Sequence, residues 1–126
     1  TVATVWNGVF NGLPNNGTIS ASITPIQTGI TGFNAIGNPY PSDLDLPLFF
    51  AENTNLTGSA YFWRKTNNAL SASYCTWNTT SGLYGDNGEA FTNSPNGVIQ
   101  TGQGFLVEAK DGAASLEFNN GQRVAT

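Results

Sequence analysis

Few side chains in this chain are able to do chemistry, and their types exclude more than they allow. There is no histidine among the 126 residues. Neither a Ser-His-Asp nor a Cys-His constellation can therefore be assembled, and zinc sites of the usual composition are ruled out. Two carboxylates about 5 to 9 Å apart could still cleave a glycosidic bond, and the acidic residues are Asp43, Asp45, Glu52, Asp86, Glu89, Glu108, Asp111 and Glu117. Asp111 stands in a turn, and Glu108 and Glu117 fall on outward positions of predicted strands. Asp43 and Asp45 precede a predicted helix, where carboxylates accept backbone N–H bonds. The chain is expected not to be an enzyme.

Binding chemistry has more material. Hard cations take oxygen ligands from loops, and two clusters supply them: Asp43 and Asp45 with Asn38, and Asp86-Asn87-Gly88-Glu89. Neither has the spacing of a twelve-residue calcium loop, and ordinary turn and cap hydrogen bonding explains both, so a structural calcium is an alternative and no other cofactor is expected. A glycan would need exposed aromatic rings beside amides. Trp77 and Tyr84, with Asn87 nearby, flank the long polar stretch 78–97 and are the ligand-binding candidates. In a chain short of aliphatics the other large rings are needed inside, and Tyr61 and Trp63 are assigned to the core. Asn16, Asn55 and Asn78 each begin an N-x-Ser/Thr sequon, a pattern that arises readily by chance in so Asn- and Thr-rich a chain.

The elements that must position these residues are strands. Ile19, Ala21 and Ile23 alternate with hydroxyls over Thr18–Thr24. Tyr61 and Trp63 alternate with Phe62 and Arg64, and Asn67-Asn68 turns this run into Leu70–Trp77 as an antiparallel hairpin. Gly104–Lys110 and Ala113–Asn119 flank Asp111-Gly112, a strong hairpin signal. Phe33–Ile36 is a short extended segment stopped by Asn38-Pro39-Tyr40-Pro41, because each proline removes a donor and restricts its predecessor. A cis bond at Asn38-Pro39 or Tyr40-Pro41 suits so tight a turn. One short helix follows near residues 45–53, with Ser42 or Asp45 as cap and Pro47 in its first turn. The fold class is all-β, an antiparallel sandwich or jelly-roll-like domain spanning residues 1–126, with one core.

Composition narrows the partners. Four basic and eight acidic residues give a net charge of −4, and only 10% of positions are charged. Phosphate binding needs a basic stripe, and Arg64, Lys65, Lys110 and Arg123 are too few and too scattered, so no nucleic acid partner is expected. No run is long enough to span a membrane. The lone cysteine, Cys75, is read as a small buried hydrophobe. The chain contains no methionine, which suggests a piece of a larger, processed protein. A surface kept soluble by amides and hydroxyls suits an extracellular or cell-surface location.

Four segments carry a family resemblance: FNAIGNPYPSDLD at 33–45, AYFWRKTNN at 60–68, GVIQTGQGFLVEA at 97–109 and LEFNNGQRV at 116–124. Together they resemble a β-rich accessory domain of secreted and surface proteins of Bacteroidetes, one that precedes the C-terminal sorting domain read by the type IX secretion system. The resemblance covers residues 14–125 and is most specific at Asn38-Pro39-Tyr40-Pro41-Ser42 and Gly102-Gln103-Gly104-Phe105. Phe33 stands where the pattern more often has tryptophan, and Gly121-Gln122 replaces a small residue and methionine. The resemblance implies a non-catalytic structural or adhesive module whose partners are neighbouring domains of the same polypeptide or a surface protein. A carbohydrate-binding module is the alternative. Asn38, Pro39, Tyr40, Pro41 and Gln103 are its structural motif, with the Gln103 amide expected to tie down the Asn38–Ser42 turn.

Overall fold

A computed structural model describes residues 7–9, 11–64, 73–82, 84–85 and 97–125. The elements in chain order are β1 (Ile19–Ser22), β2 (Phe33–Gly37), β3 (Asp43–Asp45), α1 (Leu46–Glu52), β4 (Leu56–Arg64), β5 (Ser73–Asn78), β6 (Tyr84–Gly85), β7 (Val98–Ile99), β8 (Gly104–Ala109), β9 (Ser115–Phe118) and β10 (Arg123–Val124). All ladders between these strands are antiparallel. The principal sheet has five strands in the order β2-β8-β4-β5-β6. A three-stranded sheet, β10-β3-β7, and a two-stranded ladder, β1-β9, are the other sheets among the described residues. The fold is all-β and sandwich-like with one short α-helix, as the alternation of apolar and polar residues predicts.

The helix is the filling between the layers. Asp45 caps it by accepting from the Leu48 N–H at 2.8 Å, and Pro47 sits in the first turn, where its missing donor costs nothing. Phe49 stacks on Phe118 of β9 at 5.2 Å and meets Phe105 of β8 edge-on at 6.0 Å. Phe50 lies parallel to Trp77 of β5 at 5.9 Å. The inner face of the principal sheet supplies Ala60, Phe62, Cys75, Trp77, Phe105 and Val107, all buried. Cys75 is thus the small core residue that its apolar setting implies.

The Asp111-Gly112 turn is real, but its flanking strands do not pair with each other. β8 pairs with β2 and β4, and β9 pairs with β1. Phe105, Val107 and Ala109 on one side and Leu116 and Phe118 on the other are buried from opposite layers, so the turn is a corner between layers. An Asp-Gly signal specifies a reversal of the chain and leaves the strand partner to the core. The Ser59–Arg64 and Ser73–Asn78 runs do form the expected antiparallel pair, with Phe62 opposite Cys75 and Trp63 opposite Tyr74. The predicted turn at Asn67-Asn68 lies outside the described residues.

Buried amides stand in for missing backbone partners. Asn53, 3% exposed, donates to Phe49 and Glu117 carbonyls and accepts from the Glu117 N–H at 2.7 Å, so its amide pairs with β9 as a neighbouring strand would. Gln122, fully buried, donates to Glu52 at 2.6 Å and to the Glu117 carbonyl. Asn38 does the same work in the proline turn: its Nδ2 donates to the Ser42 and Gln100 carbonyls, and its Oδ1 accepts from the Tyr40 N–H. The Gln103 side chain does not reach that turn. Its Oε1 accepts from the Gln100 N–H, closing its own loop, and it is the Gln103 backbone carbonyl that accepts from the Asn38 N–H. Both proline bonds are trans, since the described chain contains no cis peptide.

Tyr40 is buried in this motif. Its hydroxyl donates to the Gly17 carbonyl at 2.6 Å, and the Arg123 guanidinium lies 5.1 Å from its ring centroid. Burial pushes the phenol above its usual value near 10. Arg123 opposes that shift and Glu117 adds to it. A folded-state value above the unfolded one means that this group's stabilisation is full below about pH 10 and is lost as pH rises through the folded value. Tyr40→Phe should therefore shrink the alkaline fall in stability, measured as urea midpoints from pH 8 to 12. An unchanged pH profile would contradict the assignment.

Candidate functional site: the outer face of the principal sheet

Alternation along a strand sends neighbouring side chains to opposite faces. With Phe62, Cys75, Trp77, Phe105 and Val107 turned inward, the outward positions are Phe33 and Ala35 on β2, Gly104, Leu106 and Glu108 on β8, Ser59, Tyr61 and Trp63 on β4, and Tyr74 and Thr76 on β5. Trp63 is 61% exposed, Tyr74 48% and Phe33 45%. No element covers these rings among the described residues.

The rings form two corners. Trp63 meets Tyr74 directly across the β4-β5 ladder, centroids 5.0 Å apart and planes 69° apart. Phe33 meets Tyr61 at 5.3 Å and 76°, reaching over β8. Each pair thus presents one ring face and one ring edge, the geometry that the aromatic quadrupole favours. Tyr61 and Trp63 are two residues apart on one strand, which places the corners ~7 Å from each other along it. Between them runs a shallow groove of about 240 Å³, with Tyr61, Trp63 and Tyr74 as walls and Ala35, Gly104 and Leu106 among the lining. Glu108, in register with Phe33, is the one charged residue among the described outward positions of these strands.

The residues expected to bind ligand are placed elsewhere. Trp77 is 1% exposed, parallel to Phe50 in the core, and cannot serve as a stacking platform. A cleft of about 450 Å³ between α1 and the start of β4 reaches Trp77, Phe50 and Leu56, but so little indole surface is open that the ring acts as packing. Its Nε1–H has no hydrogen-bond partner among the described residues. Gly97, at φ +60°, passes so close that a β-carbon there would lie 2.9 Å from the indole, which accounts for glycine at that position. The Tyr84 backbone pairs opposite Trp77 in β6. Its side chain lies outside the described residues, as do Asn87, Asp86 and Glu89.

Asp43 and Asp45 are occupied separately. Asp45 caps α1, and Asp43 accepts from the Thr101 N–H at 3.2 Å. Asn38, grouped with them as a cation ligand, spends its amide oxygen on Tyr40. Among the described residues no group of three acidic, cysteine or histidine side chains converges as a metal site. Of the sequon asparagines, Asn55 donates through its Nδ2 to Ser115 and Asn78 to Ser59, whereas Asn16, exposed, accepts from Arg123.

Tyr61 and Trp63 share a face as the alternation predicts, but that face is the outer one and not the core expected for them, because rings occur at both 62 and 63 and either face could have been the inner one. The signal that separates the faces is polarity summed across the hairpin. Ala60, Phe62, Cys75 and Trp77 carry almost no hydrogen-bonding capacity, whereas Tyr61, Tyr74 and Thr76 each carry a hydroxyl. No helix of the described chain is long and apolar enough to cross a membrane.

Comparison of the chain with curated proteins and with solved structures finds no match to either. A family model matches over its whole length, residues 1–126, and by it the chain belongs to the domain-of-unknown-function family DUF8693.

Proposed function

We propose that this chain is a non-catalytic accessory module of a secreted or surface-anchored bacterial protein, acting outside the cell, and that its task is adhesion through the outer face of the principal sheet. The observation that carries the proposal is the strip of Phe33, Trp63 and Tyr74, exposed, with half-buried Tyr61, which no element among the described residues covers, on a sheet whose other face already holds the core. Contiguous exposed apolar surface on a folded domain marks an interaction site. Trp and Tyr are suited to such work because they offer large, rigid, amphipathic area with few rotamers to freeze. The lack of histidine and the sparse charge support a role outside catalysis. The resemblance to accessory domains ahead of type IX sorting domains supports the location.

The test is a fusion of the chain to a fluorescent reporter, applied to a panel of bacterial cell surfaces and insoluble extracellular polymers. Retention is expected on part of the panel, and the Trp63→Ala/Tyr74→Ala double variant should lose it by about tenfold or more, as two exposed aromatic contacts imply. Equal retention of the variant and its parent would refute adhesion through this face.

A further inference from the structure

The chemistry of the strip also selects what it holds. We infer that the groove between the two aromatic corners takes a neutral polysaccharide, its sugar rings stacking on Trp63 and Tyr61 while Tyr74, Thr76 and Ser59 offer hydroxyls at its flank; this rests on the adhesive role of the same face. Three observations on the face lead there.

The first is charge. Among the described outward positions of the strands, Glu108 is the one charged residue, at the Phe33 end. A sulfated, phosphorylated or uronic-acid polymer would find no counter-charge among those described positions, and Glu108 would repel it. The second is composition. Aromatic rings alternate with hydroxyl groups on one surface, so apolar and hydrogen-bonding partners are offered at the same spot. Sugar rings, with a C–H face and a rim of hydroxyls, match both, whereas an aliphatic protein patch would leave the hydroxyls to be desolvated without partners. The third is shape. At about 240 Å³ the groove is shallow. Its lining includes Gly104 and Ala35, small enough to let a narrow chain sit between the ring walls. A stable protein interface needs roughly 800 Å² on each partner with interior-like packing, and ring pairs whose planes are 76° and 69° apart make a stepped surface unlike that.

The experiment is a depletion assay of the folded chain against insoluble neutral polysaccharides (cellulose, chitin, xylan, mannan and starch) and against acidic ones (alginate and a sulfated galactan), for the parent, Trp63→Ala and Glu108→Gln. Thermal melts accompany each protein, and sedimentation velocity reports self-association. The expected result is retention on at least one neutral polymer, reduced about tenfold or more in Trp63→Ala, with weaker retention on every acidic polymer and melts matching the parent. If no neutral polymer retains the chain while the reporter fusion still adheres in a Trp63-dependent way, or sedimentation shows Trp63-dependent self-association, the face docks protein. The glycan assignment is then overturned, and the adhesive role stands. Retention that Trp63→Ala leaves unchanged overturns the glycan assignment at this face, and if reporter adhesion is unchanged as well, the adhesive reading falls with it.

Discussion

Trp77→Ala is expected to destabilise the protein by about 3 to 5 kcal/mol, the range for deleting a large buried aromatic. The indole is 1% exposed, lies parallel to Phe50 at 5.9 Å, and sits on β5 between β4 and β6, opposite Ala60. Ala60 and Gly97 are too small to fill the space it would leave. Against a total stability of roughly 5 to 15 kcal/mol for a domain, the loss would leave a protein close to unfolding at ordinary temperature. Trp77→Phe isolates the volume effect: the Nε1–H has no hydrogen-bond partner among the described residues to lose, so its cost should be well below that of alanine. Urea denaturation of the three proteins decides it. A cost under about 1 kcal/mol for Trp77→Ala would mean that the ring is not in the core.

Asn38→Ala comes next, at about 3 kcal/mol. Nothing apolar is at stake. The amide serves three backbone groups, donating to the Ser42 and Gln100 carbonyls at 2.8 and 3.2 Å and accepting from the Tyr40 N–H at 3.1 Å, in a residue only 6% exposed. Each group left without a partner costs about 1 to 3 kcal/mol. Alanine cannot replace any of these bonds, and Asn38→Asp should fail for a related reason, because a carboxylate brings acceptors to two carbonyls. Gln103→Ala should do less, because the bond from Gln103 to Asn38 is made by the backbone and survives the substitution. Denaturation midpoints of the three variants, ranked, test this order, and Gln103→Ala proving the more damaging would contradict it.

The contrast between these residues shows what a single sequence can carry. Strand periodicity, a helix cap at Ser42 or Asp45 with Pro47 in the first turn, and a hairpin of the runs 59–65 and 70–77 follow from local chemistry; the structure places the cap at Asp45 and pairs 59–64 with 73–78. The partner of β9 does not follow locally. Asp111-Gly112 fixes a reversal, but whether the next strand returns to the same sheet depends on which layer needs Leu116 and Phe118, and Phe49 of the helix settles that. The exchange of roles between Trp63 and Trp77 has the same origin. A run of Tyr61, Phe62 and Trp63 has rings on both faces, so alternation alone cannot say which face is inward. Trp77 is claimed by Phe50, an element 27 positions away in sequence. Gln103 misled for a different reason: an amide between two glycines in a family motif suggests a long-range tie, and the tie exists, but it runs through the main chain.

The proposed adhesion puts the partner on the outer face of the principal sheet, at Trp63 and Tyr74, while Trp77 stays in the core. Residue-resolved hydroxyl-radical footprinting of the folded chain, alone and bound to the polymer or surface that retains it best, tests this most directly. Trp63 and Tyr74 should oxidise readily in the free protein and become protected on binding, with Trp77 slow in both states. Fast oxidation of Trp77 in the free protein, or Trp63 and Tyr74 equally reactive before and after binding, would contradict it.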